Sequence, residues 1–379
     1  MHVQKNKLDF TNQNVYVGID VHKKSWKISI LMNDFFHKTF SQDPSPELLH
    51  SYLVRNFPEA NYHSAYEAGF CGFWIHYGLK SYGVNSIVVN PADIPTTYKD
   101  ILQKEDARDS LKIAKALRSG MLNPIYVPKS TTCDDRMLMR ARATMTKDLA
   151  RSKNRIKSFL NFQGIHIPEE HKYRSQTWSK NFVKWLESIE LGTISGKEAL
   201  NILIEECKNM RASKLKITRK IKELALTDTY RQNIELLRSV PGIGLITAME
   251  LMTELENIER FKNLDHFASY IGLIPSTHSS GENEKVGNIT PRSQQTLRRA
   301  MIESAWVAIR SDAALTHKYI QLTSRMIPQR AIIRIAKKLL SRIYFVLKNK
   351  QSYQLLIVEQ KNNTIKTPKK CETVVNRLQ

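Results

Sequence analysis

Hydrophobic and polar positions alternate over residues 15–21 (VYVGIDV). Val15, Val17, Ile19 and Val21 fall on one side, and Tyr16, Gly18 and Asp20 on the other. That period of two predicts a strand. Two more strands are predicted at 26–31 and 35–40, and the short polar links between the three favour an antiparallel meander. The pattern then predicts a helix at 46–56, a strand at 62–66, a helix at 72–82, and a strand at 85–90 stopped by Pro91. A helix follows over 106–119, with Leu111, Ala114 and Leu117 inward. Three strands followed by alternating helices and strands imply an α/β layer with a mixed sheet.

Past residue 120 the strand signals fade and helical periodicity takes over. Leu200, Leu203, Cys207, Met210, Lys214, Ile217, Ile221 and Leu224 follow a 3-4 spacing, a heptad stripe broken once by Lys214. Such a stripe is either one arm of an intramolecular helical hairpin or a dimerising coiled coil. A third region begins near Leu236, helical apart from a Gly-containing interruption at 272–291. It closes with Ile332, Ile335, Leu339, Ile343 and Val346 marking a buried helix face. The expected divisions are 1–125 (α/β), 126–232 (helical linker or coiled coil), 233–350 (mostly α-helical) and 351–379 (a polar, disordered tail).

Charge narrows the function. The chain has 379 residues, with 58 Lys and Arg against 36 Asp and Glu, a formal net charge of +22. Such an excess points to a polyanionic partner, because neutralising phosphates releases counterions. Two blocks concentrate it: 136–157 has eight basic residues and one acid, and 326–350 has seven and none. The four cysteines are scattered, which argues against a disulfide scaffold or a zinc module. No apolar run is long enough to span a membrane, and residues 1–10 contain no apolar export segment. A cytoplasmic protein is expected.

Four acids stand out. Asp20 sits in a strand of high β-propensity, on the side away from the valines. Glu67 closes the strand at 62–66, just before Ala68 and Gly69. Asp106 and Asp109 share one face at the start of a helix, where acids also suit the helix dipole. Four carboxylates gathered at a sheet edge would form a hard-oxygen site for Mg²⁺, able to support phosphodiester cleavage. Residues 240–244 (VPGIG) give a tight turn whose Gly242 and Gly244 can expose backbone N–H groups to a DNA phosphate, or else simply join two helices. A Ser-Ser-Gly step follows at 279–281, with Lys285, Arg292, Arg298 and Arg299 close by to stabilise an oxyanion. His278 is the nearest candidate base.

Taken together, VYVGIDVHKKSWKISI, YEAGFCGFWIHYGLKSYGVNSIVVNPADI and KEDARDSLKIAKAL resemble the RuvC-like DEDD domain of one insertion-sequence transposase family. These are bridge-RNA-guided recombinases related to the Piv/MooV DNA invertases. The stretch from LRSVPGIGLITAMEL to TPRSQQTLRRAM resembles their second, transposase domain. The resemblance implies an RNase H/RuvC-like α/β domain with a mixed sheet, a helical coiled-coil segment, and a mostly α-helical transposase domain with a helix-hairpin-helix-like turn. It places the family's acids, ligands of Mg²⁺ or Mn²⁺, on Asp20, Glu67, Asp106 and Asp109. Its serine nucleophile falls on Ser280, with Ser279 adjacent. Implied partners are donor and target double-stranded DNA, a structured non-coding guide RNA, and further copies of the chain in a dimer or tetramer. One departure is visible: Arg292-Ser293 stands where family members carry Lys-Gly or Arg-Gly. A rival reading is a RuvC-like endonuclease for branched DNA, which needs the acids but no serine. A non-enzymatic nucleic-acid scaffold would need neither.

Overall fold

The computed structural model describes residues 9–95, 106–172, 178–280, 283–290 and 293–354. Of residues 106, 107, 276–280 and 283–288 the backbone alone is described. The expected disordered tail from 355 onward, and Arg292, lie outside the described residues. The chain divides into two compact units, residues 1–134 and 135–379.

The first unit is the expected mixed sheet. Its strands are β1 (Asn14–Val21), β2 (Trp26–Met32), β3 (Phe35–Gln42), β4 (Asn61–Glu67) and β5 (Asn85–Val89), in the spatial order β3-β2-β1-β4-β5. β1 pairs antiparallel with β2, and β2 with β3, whereas β1–β4 and β4–β5 are parallel. The crossovers are α1 (Pro46–Asn56), capped by the Ser45 hydroxyl, and α2 (Trp74–Ser81). Val15, Val17 and Ile19 of β1 bury with Ile28 and Ile30 of β2 against Leu49, Leu53, Ile75 and Leu79 of these helices. Period two in the sequence thus becomes one apolar sheet face, as expected.

The opposite face is built from small residues. Gly18 pairs with Ser29 on one side and Ala65 on the other. Across this row lies α3 (Asp106–Arg118), with Ile113 and Ala116 buried in a cluster with Ala65 and Val89. A methyl group at Gly18 would stand 2.0 Å from the Ser110 carbonyl oxygen and 2.5 Å from the Ala114 nitrogen. Only glycine admits a helix backbone this close. The buried Ser110 and Ser29 hydroxyls share a 2.8 Å hydrogen bond, and Ser29 shares another of 2.7 Å with Thr39.

The second unit is mostly helical. α4 (Ser130–Phe162) carries the chain across the division, followed by α5 (Glu169–Lys172), α6 (Lys180–Ser188) and α7 (Ile194–Leu224). Leu149, Ile156 and Leu160 of α4 bury with Phe182 and Leu186 of α6 and with Leu200, Ile204 and Cys207 of α7. Arg155 meets Glu206, and Arg142 meets Thr218, so α4 and α7 run antiparallel. The heptad stripe therefore faces its own chain, which favours the hairpin-arm reading.

The remaining helices are α8 (Arg231–Arg238), α9 (Leu245–Leu255), α10 (Leu264–Ile271), α11 (Gln295–Ser311), α12 (Ala313–Thr323) and α13 (Pro328–Asn349). They share one large core, in which Ile332, Ile335, Leu339, Ile343 and Val346 of α13 are buried, as their spacing predicts. The interruption at 272–291 departs from a simple loop. It contains a two-stranded antiparallel ribbon, β6 (Pro275–Ser280) and β7 (Asn283–Ile289). Its Ser, Thr and Asn content hid the strand signal, although Thr277, Val286 and Ile289 are β-branched.

The close approach at Gly18 gives a direct test. Gly18→Ala must push α3 off the sheet or distort β1. The expected destabilisation is about 2 kcal/mol, in the usual range for overpacking. Urea unfolding of the full chain measures it, and an unchanged midpoint would refute the tight contact.

Candidate active site

The parallel register of β1 and β4 runs to Ile19 opposite Tyr66. Asp20 and Glu67 are therefore the next residues on neighbouring strands, about 4.8 Å apart across the sheet. Both lie on the Gly18–Ala65 face, the one that α3 covers. α3 begins at Asp106, and Asp109 immediately precedes Ser110, the residue whose carbonyl meets Gly18. β1, β4 and α3 thus bring Asp20, Glu67 and Asp109 to one face, at the carboxyl ends of parallel strands. The Asp106 side chain lies outside the described residues.

Asp20 and Asp109 are half-buried, and Glu67 is exposed. His22 Nε2 stands 3.2 Å from the Asp20 carboxylate, and the Lys112 ammonium 3.2 Å from that of Asp109. Among the described residues, no three of His, Cys, Asp and Glu are close enough to hold a metal ion. By chemistry the donor set fits a hard divalent cation, since every member is a carboxylate.

The serine belongs to the second unit. Ser280 is the last residue of β6 and pairs with Asn283, and Ser279 pairs with Glu284. Ser280 thus borders the two-residue connection of a hairpin. The side chains of Ser279, Ser280, His278 and Lys285 lie outside the described residues. The hairpin base is firmly tied. Thr290 N–H donates to the Ile274 carbonyl at 3.2 Å, and Gln294 N–H to the Tyr270 carbonyl at 3.1 Å. The Arg298 guanidinium donates to the Thr290 carbonyl at 2.7 Å and to the Ser293 hydroxyl. Gly272, at φ +80°, leaves the room the Ser293 side chain fills, because a methyl there would come 2.2 Å from Ser293 Cβ. Ser293, the departure noted in the sequence, is thus accommodated by a glycine on the facing segment.

The glycines of the 240–244 turn do different work. Gly242, at φ +85°, sits against the Ser304 carbonyl, where a methyl would come within 2.4 Å. Gly244 is exposed at the N-cap of α9, where no side chain caps the helix.

Comparison with known proteins agrees with this architecture. A transposase model for the DEDD domain of IS110-type elements matches residues 17–164. A second, described as the transposase IS116/IS110/IS902 family, matches residues 234–321. Between them they take in more than half of the chain, in the expected order. The chain belongs to the IS110/IS116 transposase family. The transposase is 28% identical to that of insertion sequence IS1533 from Leptospira borgpetersenii, over 78% of this chain and 85% of the relative. It is 23% identical to the IS1111A transposase of Coxiella burnetii, over 72% and 74%. It is also 28% identical to the pilin gene-inverting protein of Moraxella bovis, over 35% and 42%. No described helix is long and apolar enough to cross a membrane.

One buried group of the transposase is absent from the sequence reading. Glu254 on α9 is almost fully enclosed, and its carboxylate meets Arg136 at 3.1 Å and Arg140 at 3.1 Å. Gln294, beside the serine hairpin, donates to the same carboxylate at 3.0 Å. Arg136 also donates to the Thr253 carbonyl at 3.0 Å. Burial and the neighbouring Glu254 push the Glu250 carboxyl above its usual range, and Arg299 and Arg142 pull it back. The only sequence signal was two acids, four apart, inside a mostly apolar helix. The basic block at 136–157 is correspondingly less free than its charge suggests. Arg136, Arg140, Arg151 and Arg155 all have carboxylate partners within the chain.

Glu254→Ala leaves Arg136 enclosed without a counter-charge. Loss of about 3 kcal/mol is expected, as for a broken buried pair. Glu254→Gln should lose less, since it still accepts hydrogen bonds. Chemical denaturation of both variants checks the order, and equal midpoints would refute the ion-pair role.

Proposed function

We propose that this transposase cuts and rejoins donor and target DNA, using Asp20, Glu67, Asp106 and Asp109 with Ser280. The observation that carries the proposal is the shared face of Asp20, Glu67 and Asp109, fixed by adjacent parallel strands and by α3 over Gly18. The tetrad would hold Mg²⁺, or Mn²⁺ in its place. A bound divalent ion supplies positive charge against the scissile phosphate and its leaving oxygen.

The chain's own groups would do the rest. The Ser280 hydroxyl attacks phosphorus and gives up its proton, to His278 or to water. A serine–phosphate bond forms as the bond to the leaving sugar oxygen breaks. That oxygen takes the electron pair and is protonated. No water is consumed, so the covalent ester keeps the energy needed to join the DNA to a new end. Arg298 positions this segment through Thr290 and Ser293, and the exposed Arg299 is suited to a phosphate contact. Lys285 and Arg292 belong to the same basic neighbourhood in sequence. Gly244, with Gly242 shaping the turn, would hold a backbone phosphate. A structured guide RNA would select the DNAs by pairing. A dimer or tetramer would bring acids and serine of different copies together.

Strand transfer on a supercoiled donor tests the site. Ser280→Ala and Asp109→Asn should each lower it at least about 10³-fold, the scale seen when a nucleophile or its partner is removed. A covalent protein–DNA adduct should form in Asp109→Asn at most slowly, and in Ser280→Ala never. Cleavage retained in Ser280→Ala without an adduct would instead establish a serine-independent nuclease. Full activity without any element-derived RNA would remove the guide.

A further inference from the structure

From residue 313 to 350 the chain has nine Lys and Arg residues and no acid. The structure sorts seven of these cations into two sets. Lys337 reaches out to Asp265, Arg342 to Asp312 and Lys348 to Glu259, so these three are neutralised within the unit. Lys350 donates to the Asn233 side chain. Lys318, Arg325, Arg334 and Lys338 instead converge on one groove of about 330 Å³ beside α12 and α13. Among the described residues none of these four has a carboxylate partner. Lys318 donates to Gln321, also in the groove wall.

The groove is rigidly built. Asp312, almost fully buried, caps α12 through the Leu315 N–H and is bridged by Arg342 of α13. Tyr353 donates to the same carboxylate. Burial pushes the Asp312 carboxyl up, but these donors together hold it below the usual carboxylate range. Arg334 and Lys338 are one turn apart on α13, and Lys318 and Arg325 lie two turns apart along the other wall. Four like charges held together this way repel, and a row of phosphates is the ligand that relieves the repulsion.

We propose that this groove is a docking site for the backbone of double-stranded DNA, apart from the acids and the serine. The remaining lining, Gln321, Leu322 and Met326, has no aromatic ring on which an unpaired base could stack, so a paired backbone is favoured over a single strand. The choice of DNA over duplex RNA rests on the reading of the chain as a DNA transposase.

The test is binding of a short DNA duplex to the full chain in EDTA, followed by anisotropy across a salt series. Two double variants remove equal charge from the same helix. Arg334→Gln with Lys338→Gln should flatten the slope of log affinity against log salt by about 2, at about 0.9 per phosphate contact. Lys337→Gln with Lys348→Gln, which removes cations already paired to acids, should leave the slope unchanged. Equal changes in both doubles, or none in either, would overturn the groove, provided thermal melts show both folded. A slope change confined to duplex RNA of the same sequence would overturn the choice of DNA. Binding in EDTA involves neither bound metal nor strand transfer, so the slope bears on the groove alone and loss of strand transfer in Asp109→Asn on the acids alone.

Discussion

The contact between α3 and β1 at Gly18 governs the first unit. A layer packed on a sheet is normally held off it by side chains, as in stacked sheets about 10 Å apart. Here the Ser110 carbonyl reaches the strand backbone, and a single methyl group would be too much. The neighbours along the row, Ser29 and Ala65, are also small, and the Ser110–Ser29–Thr39 hydroxyls satisfy one another beside the apolar cluster. Because the strand side chains alternate, the residue two beyond Gly18 faces the same helix. That residue is Asp20. The parallel register sets Glu67 beside it, and the residue preceding Ser110 is Asp109. A sheet-helix contact made by small residues is thus what brings three carboxylates to one face.

Much of this was legible in the sequence, for a physical reason. A β-sheet covered on one face by Val, Ile and Leu writes its period directly into the chain, and all five of its strands, β1 to β5, were anticipated. Asp20 was noticeable because a carboxylate interrupts a strand pattern, and Asp106 and Asp109 because i, i+3 spacing puts two acids on one helix face. The role of Gly18 was not legible, since its constraint comes from a residue 92 positions away. The β6–β7 ribbon was missed because its strands are rich in Ser, Asn and charged residues, which read as turn. The Glu254 group was missed because its partners, Arg136 and Gln294, are more than 35 positions distant on either side.

The heptad stripe shows how far periodicity can go. It correctly marks which side of α7 is buried, but not what covers it. Intramolecular α4 and a second copy's helix would demand the same spacing. What decides is pairing specific to the chain, Arg155 with Glu206 and Arg142 with Thr218, in antiparallel order. Lys214, the one polar break in the stripe, sits half-buried there. Burial, and then Arg142, depress its ammonium pKa below the usual lysine value. A polar residue at such a position weakens the seam while fixing its register.

The net charge of +22 is similarly too coarse by itself. In a basic block, an arginine that closes a buried ion pair and one that faces water count equally. Arg136 and Arg342 belong to the first kind: each meets an acid that is nearly inaccessible, and each ties two helices together. Their charge is cancelled inside the unit and offers little to a polyanion. Arg334 and Lys338 belong to the second kind, and their position beside Lys318 and Arg325 concentrates an unbalanced field in one groove. The electrostatic footprint of this transposase is therefore set by the acids as much as by the bases. Where carboxylates are buried, the basic residues around them hold the fold. Where carboxylates are absent, as from 313 to 350, the cations left over are the ones a phosphate backbone can reach.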